Sequence, residues 1–150
     1  MTLKLQHVPV SGDPSQGIDA LKKQAASVAY SDCVRVDLPD HSLLYISGKM
    51  GAKDGVLAGR TMVEQARQVM ENLKAVLVKQ GGTLENIVRL RIYVTQIDSA
   101  SIRDVHAVRA EYFAPGKFPA STLVKVDDLV RDGGLIEMEA DVVLPAPGST

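Results

Sequence analysis

Arg89 and Arg91 in IVRLRIYV, and Glu137, Glu139 and Asp141 in IEMEADVVL, each alternate with apolar residues, so that each segment keeps its charges on one side. Tyr45 and Ser47 in LLYIS, Tyr93, and Ser121, Leu123 and Lys125 in STLVK fall on the same alternate positions. A surface carrying opposite charges and hydroxyls in register offers ion pairing, self-association and proton exchange. A plain solvent-facing sheet would also explain it. The expectation is that Arg89 or Arg91 meets Glu139, Asp141 or a carboxylate of a second copy, because a buried charge without a partner is costly. Covalent catalysis finds no support in the sequence. His7, His41 and His106 are scattered, and no serine sits in a GxSxG elbow. Cys33 is the single cysteine, which excludes an internal disulfide and argues against a zinc site. No metal and no cofactor is expected.

The elements that must hold these residues are legible from periodicity. Leu44 and Ile46, Val88, Leu90, Ile92 and Val94, Val124 and Val126, and Ile136, Met138, Ala140 and Val142 alternate with the polar set and read as the core faces of four strands. Between Gly59 and Gly81, Met62, Ala66, Val69, Met70, Leu73, Val76 and Leu77 recur at helical spacing, and Thr61 with Glu64 fits a capping box. A second helix is predicted from about Ser99 to Phe113, capped by Asp98 or Ser99, with Ile102, Val105, Val108 and Tyr112 inward and Pro115-Gly116 beyond its end. Residues 1–30 are the least readable part: SGDPSQG favours turns, and Ile18 to Val28 suits a short helix. PAPGST, at 145–150, reads as a solvated tail.

With 150 residues and 45% hydrophobic content, the chain suits one compact domain over 1–150. Its formal net charge of -1, with interspersed signs, removes the field that would attract nucleic acid or an anionic membrane. No apolar run reaches membrane-spanning length, and MTLKLQHVPV lacks a signal-peptide core, so a cytoplasmic protein is expected. The loop GKMGAKDG, at 48–55, lacks P-loop spacing, and Lys49 and Lys53 are read as lining the rim of a cleft.

The passages Leu44 to Gly48 (LYISG), Glu64 to Leu77 (EQARQVMENLKAVL), Ile87 to Val94 (IVRLRIYV), Phe118 to Ala120 (FPA) and Ile136 to Ala140 (IEMEA) resemble the RidA (YjgF/YER057c-like) family of reactive-intermediate imine deaminases. The resemblance implies an α+β, chorismate-mutase-like fold, a mostly antiparallel sheet with two helices packed on one face. It also implies a homotrimer whose sheets form a central barrel, with active sites in the clefts between subunits. Residues 1–30 form a longer N-terminal piece than that family leads one to expect.

Carried over position by position, the family's site falls on Tyr30, Ser47, His106 and Glu137. An amide-bearing residue is usual where His106 stands, an arginine where Ser121 stands and a cysteine where Leu123 stands. The arginine matters most, since a guanidinium fork holds a substrate carboxylate by two charge-assisted bonds and a hydroxyl does not replace that charge. Glu137 is the candidate to position water against a C=N carbon, with a pKa raised by desolvation and lowered by Arg91, and His106 is its candidate partner in proton exchange. Arg91, Lys49 or Lys125 could anchor a substrate anion. Against these stand plainer roles: Glu137 as an interface ion-pair partner, His106 as a solvated helical residue, and Ser47 and Ser121 as hydroxyls satisfying nearby backbone. The functions that follow are a deaminase acting on an imine or enamine other than 2-aminoacrylate, a non-catalytic trimer binding a small metabolite, and, least supported by charge, a ribonuclease or translation inhibitor.

Overall fold

The structure is a computed structural model, and it describes residues 4–10 and 28–146. The element order is β1 (Lys4–Pro9), β2 (Ser31–Asp37), β3 (His41–Met50), β4 (Ala52–Lys53), β5 (Val56–Leu57), α1 (Met62–Lys79), a 3-10 turn (Leu84–Asn86), β6 (Ile87–Val94), α2 (Ser99–Tyr112), β7 (Ala120–Lys125) and β8 (Ile136–Pro145). Six strands form one sheet in the order β1-β2-β3-β8-β6-β7, and β4 with β5 forms a small hairpin. Every pairing in the large sheet is antiparallel except β6 with β7, which α2 connects as a crossover.

Helix α1 forms where its apolar stripe predicts. Thr61 caps Glu64 N, and the Glu64 carboxylate accepts in return from the Thr61 backbone, which satisfies two end groups for a gain of about 1 kcal/mol. Ala66, Val69, Met70, Leu73 and Leu77 are fully buried against Leu44, Leu90, Ile92, Ile136 and Met138 of the central strands. Asp98 caps α2 through Ser101 N, and α2 packs along α1, with Arg67 donating two bonds to Glu111. Gln65 of α1 is buried: its amide donates to Gly59 O and Gly133 O and accepts from Leu135 N, fixing the loop that leads into β8.

The structure corrects two expectations. Val88 is 48% exposed rather than in the core, because the β6–β8 register slips between Ile87 and Arg89 and gives the inward position to Ile87. The faces of β7 are the reverse of the predicted ones. Leu123 pairs with buried Ile92 and packs on the core, whereas Val124 pairs with Tyr93 on the charged face and is 42% exposed. Ser121 pairs with buried Leu90 and so shares the helix-covered side. In the least readable part of the sequence, Lys4–Pro9 forms an edge strand on β2, with Val8 packed on the core. The helix predicted over Ile18 to Val28, except for Val28 itself, and the tail beyond Ala146 lie outside the described residues.

Candidate functional site

On the face of the sheet away from the helices, the register sets Arg89 opposite Asp141, Arg91 opposite Glu139 and Tyr93 opposite Glu137. The contacts are diagonal. Arg91 donates to Asp141 at 3.2 Å and pairs with its other oxygen at 3.1 Å, and the Tyr93 hydroxyl donates to Glu139 at 2.5 Å. Two of the three β8 carboxylates are thereby paired. Glu137 is the exception: it has no hydrogen bond or ion pair among the described residues. Arg91 is spent on Asp141, so the cation expected to lower the Glu137 pKa is not the one that does so.

Glu137 sits at a break in the β3–β8 ladder. Ile46 pairs with Ala140 and Lys49 with Met138, leaving Ser47 and Gly48 together opposite Glu139, a bulge that bends β3 over the start of β8. Gly48 lies directly under the Glu137 side chain, since a Cβ there would stand 2.9 Å from Glu137 Cδ and closer still to Oε1. No other residue type leaves the carboxylate its place. Ser47 donates to Ser31 O at 2.6 Å, tying the bulge to the start of β2, which is the plainer of the two roles considered for it. Lys49 pairs with Asp32, both side chains largely buried, rather than standing free on a rim.

Burial holds the Glu137 carboxyl above its ordinary pKa; the nearby Glu139 adds to this, and Lys49 pulls against it. Tyr30 lies within reach of the same field. Its phenol is pushed up by burial, then by Asp32 and Glu137, and so stays a hydrogen-bond donor at neutral pH. Glu137, Tyr30, Asp32, Lys49, Ser47 and Gly48 therefore form one local cluster. Asp32 and Gly48 were not singled out by sequence, though Asp32 lies two residues from Tyr30 and Gly48 ends LYISG.

The remaining candidates lie elsewhere on the protomer. Ser121 is on edge strand β7, two strands from β8, three residues along from the Tyr93 row and on the opposite face. That separation is roughly 10 Å across and 10 Å along the sheet. Leu123 shares that strand and face. His106 is exposed on α2, with no bond to the Glu137 cluster. Nor does the cavity of about 460 Å³ between the β4–β5 hairpin, Arg60 and Arg131 include any of these residues. Among the described residues no group of three or more His, Cys, Asp or Glu side chains could hold a metal ion, and no helix is long and apolar enough to cross a membrane.

The chain is similar to several known proteins. A family model described as Endoribonuclease L-PSP matches residues 20–144. A 2-iminobutanoate/2-iminopropanoate deaminase of Capra hircus is 33% identical over 129 residues, covering 84% of this chain and 88% of the relative. The mitochondrial protein mmf2 of Schizosaccharomyces pombe is 36% identical over 100 residues, covering 65% and 76%. A solved member of the YjgF/YER057c/UK114 family from Mycobacterium tuberculosis superposes with a TM-score of 0.69 at 29% identity, over 93% of this chain and 98% of that one. RidA from an Antarctic Psychrobacter gives a TM-score of 0.64 at 29% identity, over 78% and 89%.

Proposed function

Because the chain belongs to the Endoribonuclease L-PSP family, which the YjgF and RidA proteins share, we propose that it is a hydrolytic deaminase of a reactive imine or enamine. The observation that carries this reading is Glu137, half-buried, unpaired and held above its ordinary pKa while its neighbours Glu139 and Asp141 have partners. A carboxylate kept for structure would be expected to pair as they do.

In this reading ionised Glu137 takes a proton from water as the water oxygen bonds to the imine carbon. The C=N electron pair moves to nitrogen, which takes up a proton, giving a carbinolamine. Glu137 then returns its proton to that nitrogen as the C–N bond breaks, the carbinolamine hydroxyl gives back to solvent the equivalent of the proton the nitrogen first took from it, and ammonia and a carbonyl compound leave. Tyr30 donates a hydrogen bond at the same mouth, and His106 shares the proton exchange.

The site is completed between subunits of a homotrimer whose uncovered sheet faces form a central barrel. Two observations support this. The uncovered face carries exposed Tyr45, Val88, Val124 and Val143 around the ion pairs, a surface suited to association. The candidate residues also divide into a Glu137 cluster and a His106–Ser121–Leu123 group too far away to meet it within one chain. A cytoplasmic location is part of the same proposal.

With Ser121 where an arginine would hold a carboxylate, the substrate is an imine other than 2-aminoacrylate. That departure equally favours a second reading, a trimer that binds a metabolite without turning it over. The nuclease reading gains nothing from the site, whose face sets Glu137, Glu139 and Asp141 against Arg89 and Arg91 and so carries no excess of positive charge for a phosphate. Ammonia release from a panel of enzymatically generated imines, with and without a carboxylate, separates the two. Turnover above spontaneous hydrolysis on any member supports the deaminase; binding without turnover on every member supports the second reading.

A further inference from the structure

Arg35, Arg67 and Arg91 are each satisfied by an acceptor. Arg67 has Glu111 and Arg91 has Asp141, while Arg35 donates to Asp37, Ser42 and the Gln80 carbonyl at the end of α1. Arg109, in the last turn of α2, is only 6% exposed, its Nε is sealed from solvent without an acceptor, and none of its nitrogens has a hydrogen bond or ion pair among the described residues. Burial alone lowers its pKa, with no carboxylate near enough to offset it. The negative end of the helix dipole favours a cation there but supplies it no acceptor. A guanidinium stays charged at any pH the protein meets, so this one is built to receive an anion. The terminal nitrogens are not among the sealed atoms and so keep access to the surface.

The topology says where that access lies. Helix α2 links parallel strands β6 and β7 and so runs back antiparallel to β7. Arg109 stands three residues before the end of α2, about 4.5 Å along its axis, and Ser121 is the second residue of β7, about 3.3 Å from its start. The antiparallel run brings the end of α2 and the start of β7 to the same end of the crossover. Glu111 points toward α1 through Arg67, and Arg109 lies about 160° round the helix from it, on the flank toward the β7 edge. His106, one turn earlier, is exposed on that flank, and Ser121 is exposed on the helix-covered side of β7.

We propose that Arg109 is a carboxylate-binding residue: its guanidinium, with the Ser121 hydroxyl beside it, holds the carboxylate of a small 2-oxo or 2-imino acid at the α2–β7 edge. The choice of ligand rests on the deaminase reading; the anion site rests on the orphaned guanidinium.

The test is calorimetric binding to the full-length protein, with 2-oxobutanoate and its neutral analogue 2-oxobutanamide as probes. The wild type should favour the acid at least tenfold, Arg109→Met should erase that preference, and Arg109→Lys should keep most of it. Ligand-free Arg109→Met should melt at a higher temperature, because it buries an apolar chain in place of an unpaired charge. An undiminished preference for the acid in Arg109→Met, or no preference in the wild type, overturns the proposal. So does a fall in oligomer mass confined to Arg109→Met, which would assign the guanidinium to a carboxylate of another copy. Binding rather than turnover is read, so a protein that releases no ammonia yet loses acid binding with Arg109 keeps this site and loses only the deaminase reading.

Discussion

The carboxylate of Glu137 lies over Gly48, at the one break in the β3–β8 ladder, where a Cβ would stand 2.9 Å from Glu137 Cδ. This relationship lets a charged side chain fold back across a strand and stay unpaired. Gly48→Ala is expected to push the carboxylate out of place, at a stability cost of about 1–3 kcal/mol. Its melting temperature should fall by a few degrees while ammonia release falls far more. Equal, small losses in both would mean that the carboxylate's position does not matter.

The raised pKa of Glu137 fixes a pH dependence. If the ionised form accepts the proton from water, kcat/KM falls as pH drops through that pKa, so the acid limb lies above the ordinary carboxyl value of 4.5. Lys49→Met removes the charge that opposes the rise and should move the limb higher. Stability carries the opposite sign. A carboxyl whose pKa is raised on folding weakens the native state as pH rises from 4.5 through the raised value. Glu137→Gln should therefore melt at or above the wild-type temperature at neutral pH, with the advantage gone below the ordinary carboxyl range. Thermal melts across pH check this directly.

Gln65→Leu removes two donated bonds and one accepted bond from a buried position, leaving Gly59 O, Gly133 O and Leu135 N unsatisfied. A cost of about 3 kcal/mol or more is expected. Amide hydrogen exchange should speed up first in 133–136, the segment that delivers Glu137 to the site.

How much of this was legible in the sequence depended on how locally each feature is determined. Helix α1 was readable because its apolar stripe and its Thr61–Glu64 cap lie within one segment. The inward residues of β8 were readable because that central strand alternates without interruption. Val88 and Val124 were misplaced because a register slip and an edge strand break the alternation, and neither is visible until the neighbouring strand is known. Strand β1 was missed because KLQHVP commits only Val8 to the core. An arginine on a helix reads as a solvated charge, so Arg109 gave no signal. The resemblance supplied Glu137 and Tyr30, but only the fold shows that Arg91 belongs to Asp141 and Lys49 to Asp32.

A site shared between subunits predicts complementation. The oligomer should have a mass of about 48 kDa, three times the 16.1 kDa chain. Glu137→Ala removes the acid–base group, and Ser121→Trp blocks the β7 side at an exposed position. Each alone should be inactive. Equal mixtures refolded together should recover roughly a quarter of the wild-type rate, the fraction of cyclic interfaces in which neither defect faces the site. No recovery from correctly sized mixtures would confine the site to one chain.

The most direct test of the central claim compares ammonia release from the panel of enzymatically generated imines, with and without a carboxylate, by the wild type and by Glu137→Gln of equal oligomeric mass. The account predicts release above spontaneous hydrolysis for the wild type and a loss of at least a hundredfold in the variant, consistent with removal of a general acid–base group. Equal rates for the two proteins would contradict it.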